Sequence, residues 1–223
     1  MDLVVSYKNT SNLLTDVRQI IDQTRELAFR SVNVAMLQRN WHLGKRISEE
    51  ILQGEDRAEY GSQVIVQLSK ELTQIYGKGF TKSYLYNYVR FYKTFPNIFQ
   101  SPIGQSKLLS WTHYNLLLDV SNDEAREWYA DEAYREGWSV RMMQRNISSQ
   151  YYHRMLLSQH KDGVREEMKQ LTAPMQDDKL EFIKNPVVAE FLGLAPNSDL
   201  YESKLESAII AHIQKFVMEL GKG

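Results

Sequence analysis

The sequence predicts an all-α fold: a multi-helical domain with a long N-terminal helix or helices, helix-turn-helix-like units and a C-terminal amphipathic helix. Three observations predict it. Apolar residues recur at the three- and four-residue spacing of one helix face almost throughout, and strict alternation is rare. Capping residues precede the periodic segments and glycines follow several of them. No proline falls between Ser11 and Gln53. With 223 residues, 43% of them hydrophobic and 25% charged, the chain can build a sizeable core.

Ser11 or Thr15 is placed to cap the first helix, whose apolar face begins with Leu14, Val17, Ile21, Leu27 and Ala28. The pattern continues through Val34, Leu37, Trp41, Ile47 and Ile51. This is one very long helix or two collinear ones, about 60 Å if unbroken, and Gly44 is the natural break. Gly61-Ser62 opens a helix with Val64, Leu68, Leu72 and Ile75 on one face, stopping at Gly77-Lys78-Gly79. Thr81 caps the next, with Leu85, Tyr88, Val89 and Tyr92, and Pro96 ends it. Residues 96–110 form a loop with room for a short β-hairpin wing, since Ile98, Phe99 and Ile103 are apolar. Trp111 starts a short helix through Leu118. Asn122-Asp123-Glu124 then supplies a cap and the acidic first turn that the helix dipole favours, in a helix ending near Gly137. Ser139 caps another, with Val140, Met143 and Ile147 inward. Residues 158–185 are polar and read as a helix fragment plus a linker. Asp199 caps a final helix with Tyr201, Leu205, Ile209, Ile213, Phe216 and Leu220 on one face, and Gly221 is a suitable C′ residue. So apolar a face needs something to pack on.

Several function classes are excluded at this level. There is no cysteine, hence no disulfide and no thiolate metal site. The N-terminus lacks the basic and apolar regions of a signal peptide, and no stretch approaches the ~18 apolar residues of a membrane span. A cytoplasmic protein without a membrane partner is expected, and the sequons at Asn9 and Asn146 are read as chance. The five histidines are scattered, with no HExxH pattern, and His113 beside Trp111 and Tyr114 reads as a packed histidine. Gly77-Lys78-Gly79 is too short to cradle phosphates. On motifs alone, neither an enzyme nor a cofactor is expected.

The net charge of −1 conceals a segregation. From Leu72 to Leu118 there is no Asp or Glu, but there are Lys78, Lys82, Arg90, Lys93, Lys107 and His113. The tail after Asp162 is acidic, with Glu166, Glu167, Asp177, Asp178, Glu181 and Glu190. A long acid-free basic run suggests a localised anionic partner; a solvated basic face is the plain alternative. The segment Ser62–Phe95 has the outline of a helix-turn-helix, in which the start of the second helix enters the major groove. Thr81, Lys82, Ser83, Tyr84 and Asn87 would lie there. Lys82 and Ser83 suit phosphates or base edges, and Asn87 suits bidentate pairing with adenine. Lys78, Arg90 and Lys93 suit backbone phosphates. Tyr84, Tyr86, Tyr88 and Tyr92 fit packing or base stacking; in a plain αα-hairpin, Tyr88, Phe91 and Tyr92 would be core. A second unit repeats this grammar, from Asn122 through Gly137-Trp138 to Ser139. There Glu124, Glu127 and Asp131 are expected to neutralise Arg141, Arg145 and Arg154 across the interface, a protein–protein surface being the other reading.

Three stretches carry a family resemblance. They are Gly77-Lys78-Gly79-Phe80-Thr81 with Val89-Arg90-Phe91-Tyr92; Leu109 to Tyr114 with Glu124 to Tyr129 and Gly137 to Arg141; and Pro186 to Leu194 with Leu205 to Ile210 and Leu220-Gly221-Lys222-Gly223. Together they resemble the bacterial YhcG-like family, from about residue 15 to the end. The resemblance implies a helical N-terminal domain suspected to bind DNA, here 11–157, a linker region at 158–185, and at 186–223 the truncated start of a PD-(D/E)XK nuclease domain. That fold opens with a helix that can carry a glutamate, which Glu206 matches best and Glu202 second. Its metal-binding Asp and (D/E)-x-Lys residues belong to later strands, absent after Gly223, and Mg²⁺ needs several convergent oxygens. The expectation is therefore a nucleic-acid-binding, targeting domain, for DNA rather than RNA. It would have no nuclease activity and no cofactor in this chain, Mg²⁺ being expected for a complete nuclease domain. The chain would be a piece of a longer protein or a short member. Its last helix, lacking the sheet it would cover, is expected to make a homo-oligomer. The rival reading is a protein-interaction or dimerisation domain using the long N-terminal helices and the Trp111–Arg141 region.

Overall fold

The computed structural model describes residues 9–53, 57–99 and 108–176. These are helical in the main, with no strand among them. The fold is all-α, as the periodicity predicts.

Helix α1 runs unbroken from Leu13 to Gln53. Its cap is Asn12, whose Oδ1 accepts from the Thr15 N–H at 3.2 Å, rather than Ser11 or Thr15. Asp16 reaches back to the backbone N–H and the hydroxyl of Thr10. The break expected at Gly44 does not occur. Helix α3 (Lys82–Thr94) lies against α1 there, and a Cβ on Gly44 would sit 1.9 Å from the Tyr88 carbonyl oxygen. Glycine at this position permits a close helix crossing instead of ending a helix. Between them, α2 (Arg57–Tyr76) returns along α1. It starts before Gly61, whose missing Cβ leaves space for Ile51.

From Val32 onward α1 buries Met36, Leu37, Trp41 and Ile47. Its N-terminal part does not follow the expected inward face, because Leu13, Leu14, Val17 and Ile21 are all exposed. Two side chains tie α1 to the chain beyond α3: the Trp41 indole N–H donates to the Phe95 carbonyl at 3.1 Å, and Asn33 donates to the Leu109 carbonyl at 2.9 Å.

Five further helices complete the described part: α4 (Trp111–Leu118), α5 (Asp123–Glu136), α6 (Val140–Ser148), α7 (Tyr151–Leu157) and α8 (Lys161–Thr172). Local chemistry sets their ends. Ser110, Asn122 and Ser139 accept from the N–H groups of His113, Ala125 and Met142, and Gly137 takes the left-handed conformation, φ 63°, after α5. Tyr88 and Phe91 of α3 meet Trp111 of α4, each pair of ring centroids 5.3 Å apart. A second aromatic cluster joins α5 and α7 through Trp128 and Tyr151, 5.3 Å apart. His113 joins the start of α4 to the turn before α6, with Nδ1 2.6 Å from the Ser110 hydroxyl and Nε2 3.0 Å from the Trp138 carbonyl. Helix α8 adds Met168 to the core. The wing considered for 96–110 falls mostly, and the final amphipathic helix wholly, outside the described residues.

Candidate nucleic-acid interface

The turn into α3 is built around glycine. Gly77 has φ 98° and ψ −165°, a region that side-chain-bearing residues enter only with strain. A 3₁₀ turn spans Lys78–Phe80. Phe80 is buried, with the Arg39 guanidinium 5.3 Å from its ring centroid and the Tyr76 ring 5.6 Å away. The buried Tyr88 hydroxyl donates to the Gly79 carbonyl at 2.8 Å and locks the turn onto α3. Thr81 occupies the N-cap position in extended conformation, but its side chain makes no capping bond.

Helix α3 has two distinct faces. Leu85, Tyr88, Val89 and Phe91 are buried. Lys82, Ser83, Tyr86, Arg90 and Lys93 are exposed, as is Lys78 before the helix. Positions 82, 86, 90 and 93 fall on one stripe, about 16 Å long at 1.5 Å per residue. The Lys82 ammonium lies 5.8 Å from the Tyr86 ring centroid. Of the tyrosines considered for stacking, Tyr88 is core and Tyr92 packs edge-on to Trp41 at 5.1 Å. Tyr84 is half-buried, and Tyr86 stands on the outer face.

Two expected contact residues also hold the fold. Arg90 Nη2 donates to the Leu118 carbonyl and to the Asp119 carboxylate, the latter at 3.0 Å. Asn87 donates to Asn115 at 3.3 Å and accepts from Arg90 at 3.4 Å. Both therefore bridge α3 to α4. Asp119 is the first carboxylate after the acid-free run, and the fold returns it to one end of the basic stripe. Lys107 and Glu206 lie outside the described residues.

In the second unit Ser139 caps α6 as expected. Arg154 pairs with Glu167 of α8 at 2.6 Å rather than with an acid of α5, and Glu124 accepts from the Tyr152 hydroxyl at 3.4 Å. His113 is a packed residue, and burial holds its imidazole below the ordinary pKa of 6.5. Burial also pushes the Tyr114 phenol up to about 12. The sequence reading missed a cleft of about 300 Å³ bordered by α5, α6, α7 and α8. Its one sequence signal is Asn146, an amide at an inward position of a helix whose other inward residues are apolar. Among the described residues, no group of three or more His, Asp or Glu is arranged to hold a metal ion, and no helix is long and apolar enough to cross a membrane.

Residues 16–154 match the family described as the DUF1016 N-terminal domain. The Escherichia coli (strain K12) protein titled "Putative nuclease YhcG" is 35% identical over 232 residues, covering 91% of this chain and 60% of that protein. The chain thus spans 60% of that relative's length. No solved structure matches it. The family match runs from the first turn of α1 into α7 and takes in both turn-linked helix pairs together with the core that supports them, so the chain belongs to the YhcG-like family, of which it carries the DUF1016 N-terminal domain.

Proposed function

We propose that this chain is a DNA-binding, targeting part of a nuclease of the YhcG-like family, with the helical domain at 11–157 as the binding unit. The observation that carries the reading is the outer stripe of α3, where Lys82 and Lys93 stand exposed in a segment without a carboxylate. Lys78, Lys82 and Lys93 hold phosphates. Thr81 and Ser83 sit where a recognition helix begins, and Tyr86 offers a ring to a base or sugar. Arg90 and Asn87 fix α3 on α4, and Arg90 contributes its remaining N–H donors to phosphate. Nuclease chemistry and its Mg²⁺ belong in this reading to a complete PD-(D/E)XK domain, not to the helices of the binding unit.

Fluorescence anisotropy of a labelled duplex at ~50 and ~200 mM salt tests it, with affinity expected to fall about tenfold or more at the higher salt. Lys82→Glu should weaken binding by about tenfold at the lower salt and flatten the salt dependence. Wild-type binding with an unaffected Lys82→Glu variant would move the contact to Arg141 and Arg145. No binding at either salt would leave the second reading, a protein-interaction domain, which the exposed Leu13, Leu14, Val17 and Ile21 of α1 favour.

A further inference from the structure

The second turn-linked pair is the tighter of the two. Gly137, Trp138 and Ser139 alone separate α5 from α6, which is the turn length of a helix-turn-helix. The whole stretch from Gly77 to Thr81 lies between α2 and α3. Helix α6 is fixed from beneath. Met142, Met143 and Asn146 are buried. The Tyr129 hydroxyl donates to the Asn146 carbonyl at 3.2 Å, and the Ser139 hydroxyl donates to the Met175 carbonyl at 2.6 Å. The opposite face carries Arg141, Gln144, Arg145 and Ser148, all exposed, and α6 has no carboxylate.

Ion pairing sets Arg145 apart. The helices around α6 neutralise their cations: Arg126 pairs with Asp123, Arg135 with Glu132, Arg154 with Glu167, Arg165 with Asp162 and Lys169 with Glu136. Arg145 has no carboxylate partner among the described residues, and the Gln144 amide has no hydrogen-bond partner among them. In a region rich in acids, these two neighbouring side chains keep their polar groups open to a partner outside the chain. Their chemistry also differs from that of the α3 stripe. A lysine is a point charge that suits a phosphate. Arginine and glutamine are planar, and each meets a base edge with two parallel hydrogen bonds, arginine on guanine O6 and N7, glutamine on adenine N6 and N7. From Arg141 to Ser148 the face is about 10 Å long. That fits a major groove about 12 Å wide and covers about three base-pair steps.

We propose that the outer face of α6 reads base sequence in the major groove of duplex DNA, with Arg145 taking a guanine and Gln144 an adenine. The lysines of the α3 stripe supply affinity through phosphates, and α6 supplies the preference among sequences. This rests on the duplex-binding reading above and adds to it the residues that select the site. Helices α3 and α6 both pack on α4, which links the two contacts.

The test selects duplexes with a randomised centre on the full chain and sequences those retained, with a single-stranded pool run beside them. Wild-type protein should enrich sequences that place a guanine and an adenine within a few base pairs of each other. Arg145→Lys keeps the charge and changes an exposed side chain, so the fold should survive. It should bind the unselected pool within about twofold of the wild type yet lose about tenfold in preference for guanine. Gln144→Ala should lose about tenfold in preference for adenine. Lys82→Glu should weaken binding to every sequence and leave the enriched motif unchanged. Wild-type binding to the duplex pool without enrichment overturns the proposal and leaves the duplex reading standing. An enriched motif indifferent to both Arg145→Lys and Gln144→Ala overturns it as well, as does stronger enrichment from the single-stranded pool. No retention of any duplex overturns this proposal together with the reading beneath it.

Discussion

At Gly44 two opposed effects meet in one side chain. An alanine in a helix interior is worth about 1 kcal/mol over glycine. Against that, a Cβ here would lie 1.9 Å from the Tyr88 carbonyl oxygen and 2.5 Å from its carbon. Backbone cannot yield as a flexible side-chain tip does, so the clash wins. Gly44→Ala should lower stability by about 3 kcal/mol in urea unfolding; a neutral result would mean that α1 and α3 cross farther apart. A lone glycine in an apolar-periodic segment reads equally as a break or as a close approach. The choice between them depends on Tyr88, 44 positions away in the sequence, so local pattern does not contain it. Asp119 poses a similar problem. The acid-free run is plain in the sequence, but its neutralisation at Arg90 is made by the packing of α4 on α3, which brings Asp119 to Arg90. Asp119→Asn should raise duplex affinity severalfold at low salt while changing stability by less than about 1 kcal/mol, because both members of the pair are exposed. Unchanged affinity in that variant would place the nucleic acid away from the Arg90 end of the stripe.

Element boundaries are far more legible, because they depend on residues within one turn. Asn122, Ser139 and Ser110 act as caps and Gly137 as a left-handed stop. Less visible are the starts of α1 and α2, where several polar residues compete or where a glycine lies inside the helix. The join between α4 and the α5–α6 turn rests on His113, and it carries a pH signature. Burial holds the folded imidazole below the ordinary 6.5. The unfolded chain therefore takes up the proton first. Stability should be complete above about pH 6.5 and be lost as the pH falls toward the folded value. Glutamates, ordinarily at 4.5, contribute mainly below this window. The melting temperature should fall between about pH 7 and pH 5.5, and His113→Gln should be less stable at the upper value with a flatter profile. An unchanged wild-type melting temperature over that interval would mean that protonation leaves the Ser110 and Trp138 contacts intact.

At the scale of the whole molecule the open question is what covers the start of α1. No apolar side chain described from Leu13 to Phe29 is buried, whereas from Val32 onward the same helix runs through the core. The sequence pattern marks Leu14, Val17 and Ile21 as one apolar face. It does not say whether that face meets the same chain, another copy or another protein, since all three bury the same stripe. Spacings of three and four residues suit a helix-on-helix seam. A second copy laid along α1 is the occupant that needs no other component. The apolar-periodic C-terminal sequence with Leu205 and Ile209, expected to make a homo-oligomer, lies outside the described residues and is the competing expectation. Light scattering at about 100 µM protein separates the two, since an interface with a Kd of about 1 µM would then be almost filled. Val17→Glu with Ile21→Glu changes side chains already in solvent, so the fold should survive. If α1 forms the seam, this pair of substitutions gives the monomer mass while Leu205→Glu with Ile209→Glu leaves the dimer. The reverse pattern assigns the contact to the C-terminal sequence around Leu205 and Ile209. A wild-type chain already monomeric at that concentration would leave the α1 stripe to a different protein, and the exposed face would then mark where that protein docks.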